Sequence, residues 1–199
     1  MVPQVLVLGG DSAGDFHART LVRALGTKAV RVVTSHWLEA IREWIPRAEP
    51  GDQLVPAPMM PHLLWRWLGE EIGAVPASAP RGWGLPFEVP GPEGELYLSA
   101  AAWRCPATCI EPAHCPILHG PRDWDLAQII DGRARELGFE PAVFAVRTYT
   151  AGIGSVPAAS LQAAREITAC RILVATTSHC HAAVGALVRS DAVKLSTRQ

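Results

Sequence analysis

Val5-Leu6-Val7-Leu8-Gly9-Gly10-Asp11-Ser12-Ala13-Gly14 sets an aliphatic run directly against a cluster of glycines. Its four aliphatic residues make a short apolar run with β-branched content, which suits a buried strand. The glycines end that run abruptly. Beyond them Phe16, Leu21, Val22 and Leu25 recur near helical spacing, and Gly26 stops the pattern. Val30-Arg31-Val32-Val33 then reads as a second strand. A strand, a glycine turn, a helix and another strand predict a parallel βαβ unit.

Residues 37–45 suit a second helix closed by Pro46. Prolines then crowd the chain as far as Pro92. Within that stretch a helix is expected over 61–72, with Pro61 in its first turn where a missing N–H costs nothing. A hairpin is expected over 87–98, turning on residues 90–94. The last third returns to alternation. Helices are expected over 124–137, 157–167 (capped by Ser155) and 182–188, and strands over 142–146 and 172–175. The whole predicts a single α/β domain spanning 1–199. Its centre is a Rossmann-like parallel sheet, and a Pro-rich insertion at about 46–121 carries the hairpin and a cysteine loop. Right-handed crossovers would bring the loops 9–14, 148–155 and 176–181 to one edge, where open parallel sheets bind ligands.

Composition bounds the function. The chain has 199 residues, of which 49% are hydrophobic and 19% charged, so it has the apolar content for a core and is not a disordered polymer. Eighteen basic and nineteen acidic residues give a net charge of -1, with no electrostatic footprint for nucleic acid or a membrane surface. No run approaches the roughly 20 apolar residues of a membrane helix, and no basic leader precedes an apolar stretch. A cytoplasmic protein without membrane insertion is the expectation.

The turn at Gly9, Gly10 and Gly14 sits where a dinucleotide fingerprint would sit. Asp11 stands where the fingerprint has its middle glycine, and Asp15 adds a second carboxylate that would oppose a diphosphate. The second strand ends in Thr34-Ser35-His36, with no carboxylate for a ribose. NAD(P) is therefore a weak expectation, shared between Gly9, Gly10 and Gly14 and the second glycine loop at Gly152 and Gly154. The competing reading is a tight βα turn with no nucleotide.

The sharpest signal is Cys105-Pro-Ala-Thr-Cys109-Ile-Glu-Pro-Ala-His-Cys115-Pro116. Thiolates are the soft ligands that iron–sulfur clusters and zinc select, and the prolines would keep such a loop out of helix. The spacing lacks the two-residue knuckle of zinc ribbons. Three close cysteines and one distant one suit a four-thiolate 4Fe-4S cluster. Cys180, on the expected ligand edge, is preferred to Cys170 as the fourth ligand. His179 and His181 are alternates and keep zinc with mixed ligands open. An incidental set of thiols, or a regulatory disulfide, is the structural alternative. A Cys180–His pair acting as a nucleophile is a third reading.

Seven tryptophans are many for this length. Trp65 and Trp67 fall on nearly opposite sides of their helix, Trp103 and Trp124 flank the cysteines, and exposed members would offer a homo-oligomer interface. Arg104 and Arg122 flank the loop and could pair with cluster charge, with an anionic ligand, or with solvent.

Residues 9–14, the Cys105-Pro-x-x-Cys109-x-Glu-Pro-x-x-Cys115-Pro segment, Pro121-Arg122-x-Trp124 and Cys180-His181 together resemble a scattered set of uncharacterised bacterial proteins. These have a Rossmann-like start and a later Cys-Pro-rich segment. The resemblance spans most of the chain. It implies NAD-binding or potassium-transport-related labels given by analogy, and no established activity.

The sequence thus predicts a metal-centre protein, iron–sulfur by preference, acting in redox or electron transfer as an oxidoreductase or a subunit of one. Its partners would be a redox protein or a small-molecule substrate. The rivals are a nucleotide- or anion-sensing regulatory module with a structural zinc, and a thiol enzyme using Cys180.

Overall fold

A computed structural model describes residues 3–10, 12–56, 62–105, 109 and 111–189. Asp11 and Pro61, which the sequence reading places in the glycine turn and at a helix start, lie outside the described residues. The chain begins as read. Strand β1 (Val5–Leu8) leads into helix α1 (Ser12–Leu25), which returns to β2 (Val30–Val33), parallel to β1. Helix α2 (Trp37–Trp44) then leads to β3 (Gln53–Val55), which flanks β1 on the other side, also in parallel.

From there the expected single parallel sheet fails. Helix α3 (Leu63–Ile72) is followed by β4 (Ala74–Ala77), β5 (Phe87–Pro90) and β6 (Leu96–Ser99). A small hairpin, β7 (His114–Cys115) with β8 (Gly120–Pro121), precedes helix α4 (Leu126–Glu136). Next come β9 (Glu140–Ala145), β10 (Arg147–Thr150), β11 (Ile153–Pro157) and helix α5 (Ala158–Ala164). The long strands β12 (Arg171–Thr177) and β13 (His181–Arg189) close the described chain.

These strands form two mixed sheets. The first runs β10-β11-β3-β1-β2, with β10 and β11 antiparallel additions to a parallel core. The second runs β5-β6-β13-β12-β9, with β4 also pairing β13. In it only β12 and β9 run parallel; its other pairs are antiparallel. The fold is therefore mixed α/β rather than a Rossmann-like parallel sheet. Two segments account for the difference. Residues 182–188, expected as a helix, form the central strand of the second sheet. Residues 147–157, expected as a loop and a helix start, form the β10–β11 hairpin. Ser155, expected as a helix cap, instead donates its hydroxyl to Gln53 Oε1 at 2.7 Å, and Pro157 precedes α5.

Period-two alternation assigns the faces. Val5 and Val7 pack with Leu21 of α1, while Leu6, Leu8 and Leu54 face the other way. That inner face shares one core with α2, α3 and α5 and with Phe144, Ile172 and Val174 of the second sheet. The far face of the second sheet, with Leu173, Ala175 and Val184, packs on Leu126, Ile130 and Ala134 of α4. The layers thus run α1, sheet, three helices, sheet, α4. Helix α3 lies between layers and buries both Trp65 and Trp67, which explains tryptophans on opposite sides of one helix. Of the seven tryptophans four are buried and Trp37, Trp103 and Trp124 are half-buried.

The two sheets are joined through one strand. Between β9 of the second sheet and β10 of the first lies Val146, whose N–H donates to Thr177 O at 2.7 Å. Opposite it Gly154 leaves space for the crossing, since a Cβ there would sit 2.7 Å from Val146 Cγ1. No helix among the described residues is long and apolar enough to cross a membrane.

Candidate functional site

The sheet junction opens into a cavity of about 1100 Å³. Ser12 and Ala13 reach it from the start of α1, Gly152 and Gly154 from the β10–β11 hairpin, and Thr176 and Thr177 from the end of β12. Cys105, Cys109 and Glu111 line it from the cysteine loop, and Ser178, His179 and His181 from the tip joining β12 to β13. Both glycine regions and the Cys/His segment therefore meet at one place, although the tip is a hairpin turn and not the expected strand-to-helix loop. Gly9 and Gly10 stand against β2. The Gly9 N–H donates to Val33 O at 2.8 Å, and at Gly10 (φ 111) a Cβ would meet Thr34 O at 2.7 Å. Gly14 is buried in α1 beside Gly9. Close packing of β1, α1 and β2 thus accounts for all three.

The cysteine loop is fastened to the hairpin tip by Glu111. Its carboxylate accepts the Ser178 hydroxyl and the His179 N–H, each at 2.6 Å. Arg122 holds the loop from the other side, donating through Nη1 to Glu111 O at 2.5 Å and to Pro112 O at 2.8 Å. Its backbone N–H adds a bond to Ala113 O at 2.8 Å. The tip is itself locked, because the Ser178 N–H donates to His181 O and the His179 carbonyl accepts the Leu126 N–H.

Asp125 ties the same tip to α4. It caps the helix by accepting the Ala127 N–H at 3.0 Å. It also takes Arg147 Nη2 at 2.8 and 2.9 Å on its two oxygens. His179 Nδ1 lies 3.3 Å from its Oδ2 but completes no hydrogen bond there. Burial, with Arg147 and Arg122 nearby, holds the His179 pKa below the ordinary histidine value.

The thiols are placed as follows. Cys105, Cys109 and Cys115 are half-buried, Cys180 is buried and Cys170 is exposed. Cys109 accepts the Glu111 N–H at 3.4 Å. Burial, then the neighbouring Cys109 thiol, raises the Cys105 pKa, with Cys115 and Glu111 adding to the rise. Burial, then Glu111, pushes Cys180 up to about 11, and Cys105 contributes. These couplings show that Cys105 has each of the other three within electrostatic reach. Cys170 precedes β12 at its opposite end, seven residues of strand from the tip, roughly 23 Å at 3.3 Å per residue. Two half-buried indoles stand beside the thiols. The Trp103 and Trp124 rings lie 6.2 Å apart, and their N–H groups favour the Cys105 and Cys180 thiolates respectively. Neither N–H completes a hydrogen bond of good geometry.

Among the described residues, no three Cys, His, Asp or Glu side chains converge in a ligating arrangement. Residues 106–108 and 110, which link Cys105, Cys109 and Glu111, lie outside the described residues. The donor chemistry nonetheless fits a soft metal. Thiols are soft donors that a bound cation would deprotonate, and Cys105 and Cys180, both raised by burial, are the two whose neutral form such a cation would have to displace.

Sequence reasoning missed Glu111, Asp125, Arg147 and Ser178. Two signals pointed at them. Glu111 sits inside the cysteine motif before Pro112, and Asp125-Leu126-Ala127-Gln128 has the spacing of a helix capping box. The pairing of Arg147 with Asp125 had no local signal.

Residues 59–190 match the model of a family described as AF_1314_C, uncharacterized protein, C-terminal domain. No curated protein and no solved structure matches the chain.

Proposed function

The chain belongs to the AF_1314_C C-terminal-domain family, and we propose from its own residues an iron–sulfur protein that exchanges electrons with a small molecule held in the cavity. Cys105, Cys109, Cys115 and Cys180 would hold the cluster. The supporting observation is that two of these residues, Cys105 and Cys109, form cavity wall beside the tip that carries Cys180. A cluster supplies one-electron chemistry whose potential depends on burial and on hydrogen bonds to its sulfurs. The protein's own part would be to exclude water with Trp103 and Trp124, to aim their N–H groups at sulfur, and to fix the loop through Glu111 and Arg122. A redox protein would supply or remove the electrons.

A structural zinc on the same residues, with His179 or His181 replacing a thiol, is the second reading. The Glu111 fastening favours it, since a zinc there would serve the same end of pinning the Pro-rich loop to the sheet. The cavity would then bind an anion or nucleotide for sensing. Use of Cys180 as a nucleophile has less support. With a pKa near 11, about one thiol in ten thousand is ionised at pH 7.

Iron, zinc and acid-labile sulfide, measured on protein purified without oxygen, test the proposal. Iron with matching sulfide, and a paramagnetic signal after reduction, is the expected result. Zinc without sulfide would replace the first reading with the second. Neither metal would overturn both.

A further inference from the structure

We propose that the cavity at the sheet junction binds an organic anion with an aromatic body. The inference deepens the preceding reading by naming the substrate class of the same site, and it rests on that reading for its redox consequence alone.

Two observations carry it. The first is apolar. Phe16, Phe87 and Val89 are 54%, 46% and 52% exposed, and all three stand on this one cavity. Large apolar side chains left in water around a concavity are the usual mark of a surface completed by a ligand. Phe87 and Val89 belong to strand β5 of the second sheet, whereas Phe16 belongs to α1 against the first. They face one space from separate elements, so neither packing of β5 nor of α1 explains their exposure. The volume of about 1100 Å³ slightly exceeds the roughly 300–1,000 Å³ of typical ligand pockets. A molecule of two fused rings or more would fit.

The second observation is charge. Glu111 is the one carboxylate among the described lining residues, and its oxygens are occupied by Ser178 and His179. Arg147 is held by both oxygens of Asp125. Arg104 also lines the cavity, is exposed, and has no carboxylate partner among the described residues. Among the described residues the wall therefore carries a guanidinium without a carboxylate partner, whose planar fork suits a carboxylate, sulfonate or phosphate. An aromatic body against Phe16, Phe87 and Val89 with an acidic group at Arg104 satisfies both features.

The test is titration of the full chain, purified without oxygen, with naphthoate and with its neutral analogue naphthylmethanol. Binding is read by ligand fluorescence or NMR line broadening, and iron and sulfide are determined on the same sample. Saturable one-to-one binding is expected, with naphthoate favoured about two- to fivefold, as for an exposed charged pair. Arg104→Gln should abolish that preference while leaving naphthylmethanol binding unchanged. Phe87→Ala, at an exposed position that folding tolerates, should weaken both probes several-fold. Absence of saturable binding, or equal binding of both probes by the unaltered protein, overturns the proposal. Binding with this pattern in protein lacking iron would uphold it and reject the cluster. Iron and sulfide without binding would do the reverse.

Discussion

The carboxylate of Glu111 accepts the Ser178 hydroxyl at 2.6 Å, joining residues 67 apart in sequence. Glu111 has φ 51, a left-handed conformation that costs a non-glycine residue free energy. That cost is offset by charge-assisted bonds from Ser178 and from the His179 amide. The geometry makes Glu111 the strut between the cysteine loop and the hairpin tip. Glu111→Ala should lower stability by about 1–3 kcal/mol, the range for losing such bonds. It should also lose bound metal, because Cys180 would no longer be held against the loop. Glu111→Gln keeps one acceptor and should fall between. Thermal melting and metal content of the three proteins check this, and unchanged metal in Glu111→Ala would remove the strut role.

The cysteines should sort into two groups. Cys105→Ser, Cys109→Ser, Cys115→Ser and Cys180→Ser should each lose most of the metal, since a hydroxyl is a poor ligand for a soft site. Cys170→Ser should retain it, because Cys170 is exposed at the far end of β12. Metal-to-protein ratios for the five variants decide. Loss at Cys170 with retention at Cys180 would reverse the choice of fourth ligand.

Asp125 serves helix and site together. Asp125→Asn preserves the cap on α4 but weakens the hold on Arg147. Asp125→Ala loses both. An N-cap is worth about 1 kcal/mol, and leaving a partly buried guanidinium without its partner costs a further 1–3 kcal/mol or so. Asp125→Ala should therefore melt lower than Asp125→Asn, and both lower than the unaltered chain. Equal melting of the two variants would show that the cap contributes nothing.

The first unit was legible because its signals are local: a β-branched run, a glycine turn, a helical period and a second β-branched run. Strand β13 was not, because it is a central strand buried on both faces. Leu187 faces the core shared with α3, and Val184 the core shared with α4. With no solvent face there is no alternation to read, and the alanines of His181–Arg189 lend it helix propensity. The long-range pairing of β13 with β12 and β6 decided the outcome. The grouping of three thiols was legible, since they lie close together in sequence. Its fastening was not, since Glu111 reaches Ser178 and the His179 amide across the fold.

Gly185 in β13 tests that buried strand. A Cβ there would lie 2.4 Å from Trp65 Cδ2, and the Trp65 indole is pinned by its N–H bond to Ala186 O at 2.9 Å. Gly to Ala in an extended strand ordinarily stabilises by roughly 0.5–1 kcal/mol. Here the ring would have to move out of a packed core, at about 1–3 kcal/mol or more. Gly185→Ala should be clearly destabilised in chemical denaturation, and Gly185→Ala combined with Trp65→Leu less so than the sum of the two changes.

His62 gives the pH dependence. Burial, then Arg66, lowers its pKa below the ordinary value of 6.5, against a smaller opposing effect of Glu95. Tyr97 Oη donates to Glu95 Oε1 at 3.0 Å and also makes a long hydrogen bond with His62 Nδ1 at 3.5 Å. The folded protein therefore favours neutral His62, while the unfolded chain takes up its proton near pH 6.5. Between that pH and the lower folded value the unfolded state binds more protons, so stability rises with pH across the window. The contribution is complete above about pH 6.5 and is lost as pH falls toward the folded value. His179, also lowered, acts in the same direction. Melting temperature should fall as pH drops from about 7 to 5, and His62→Gln should reduce that slope without removing it. A slope unchanged in His62→Gln would mean that the proton is taken up elsewhere.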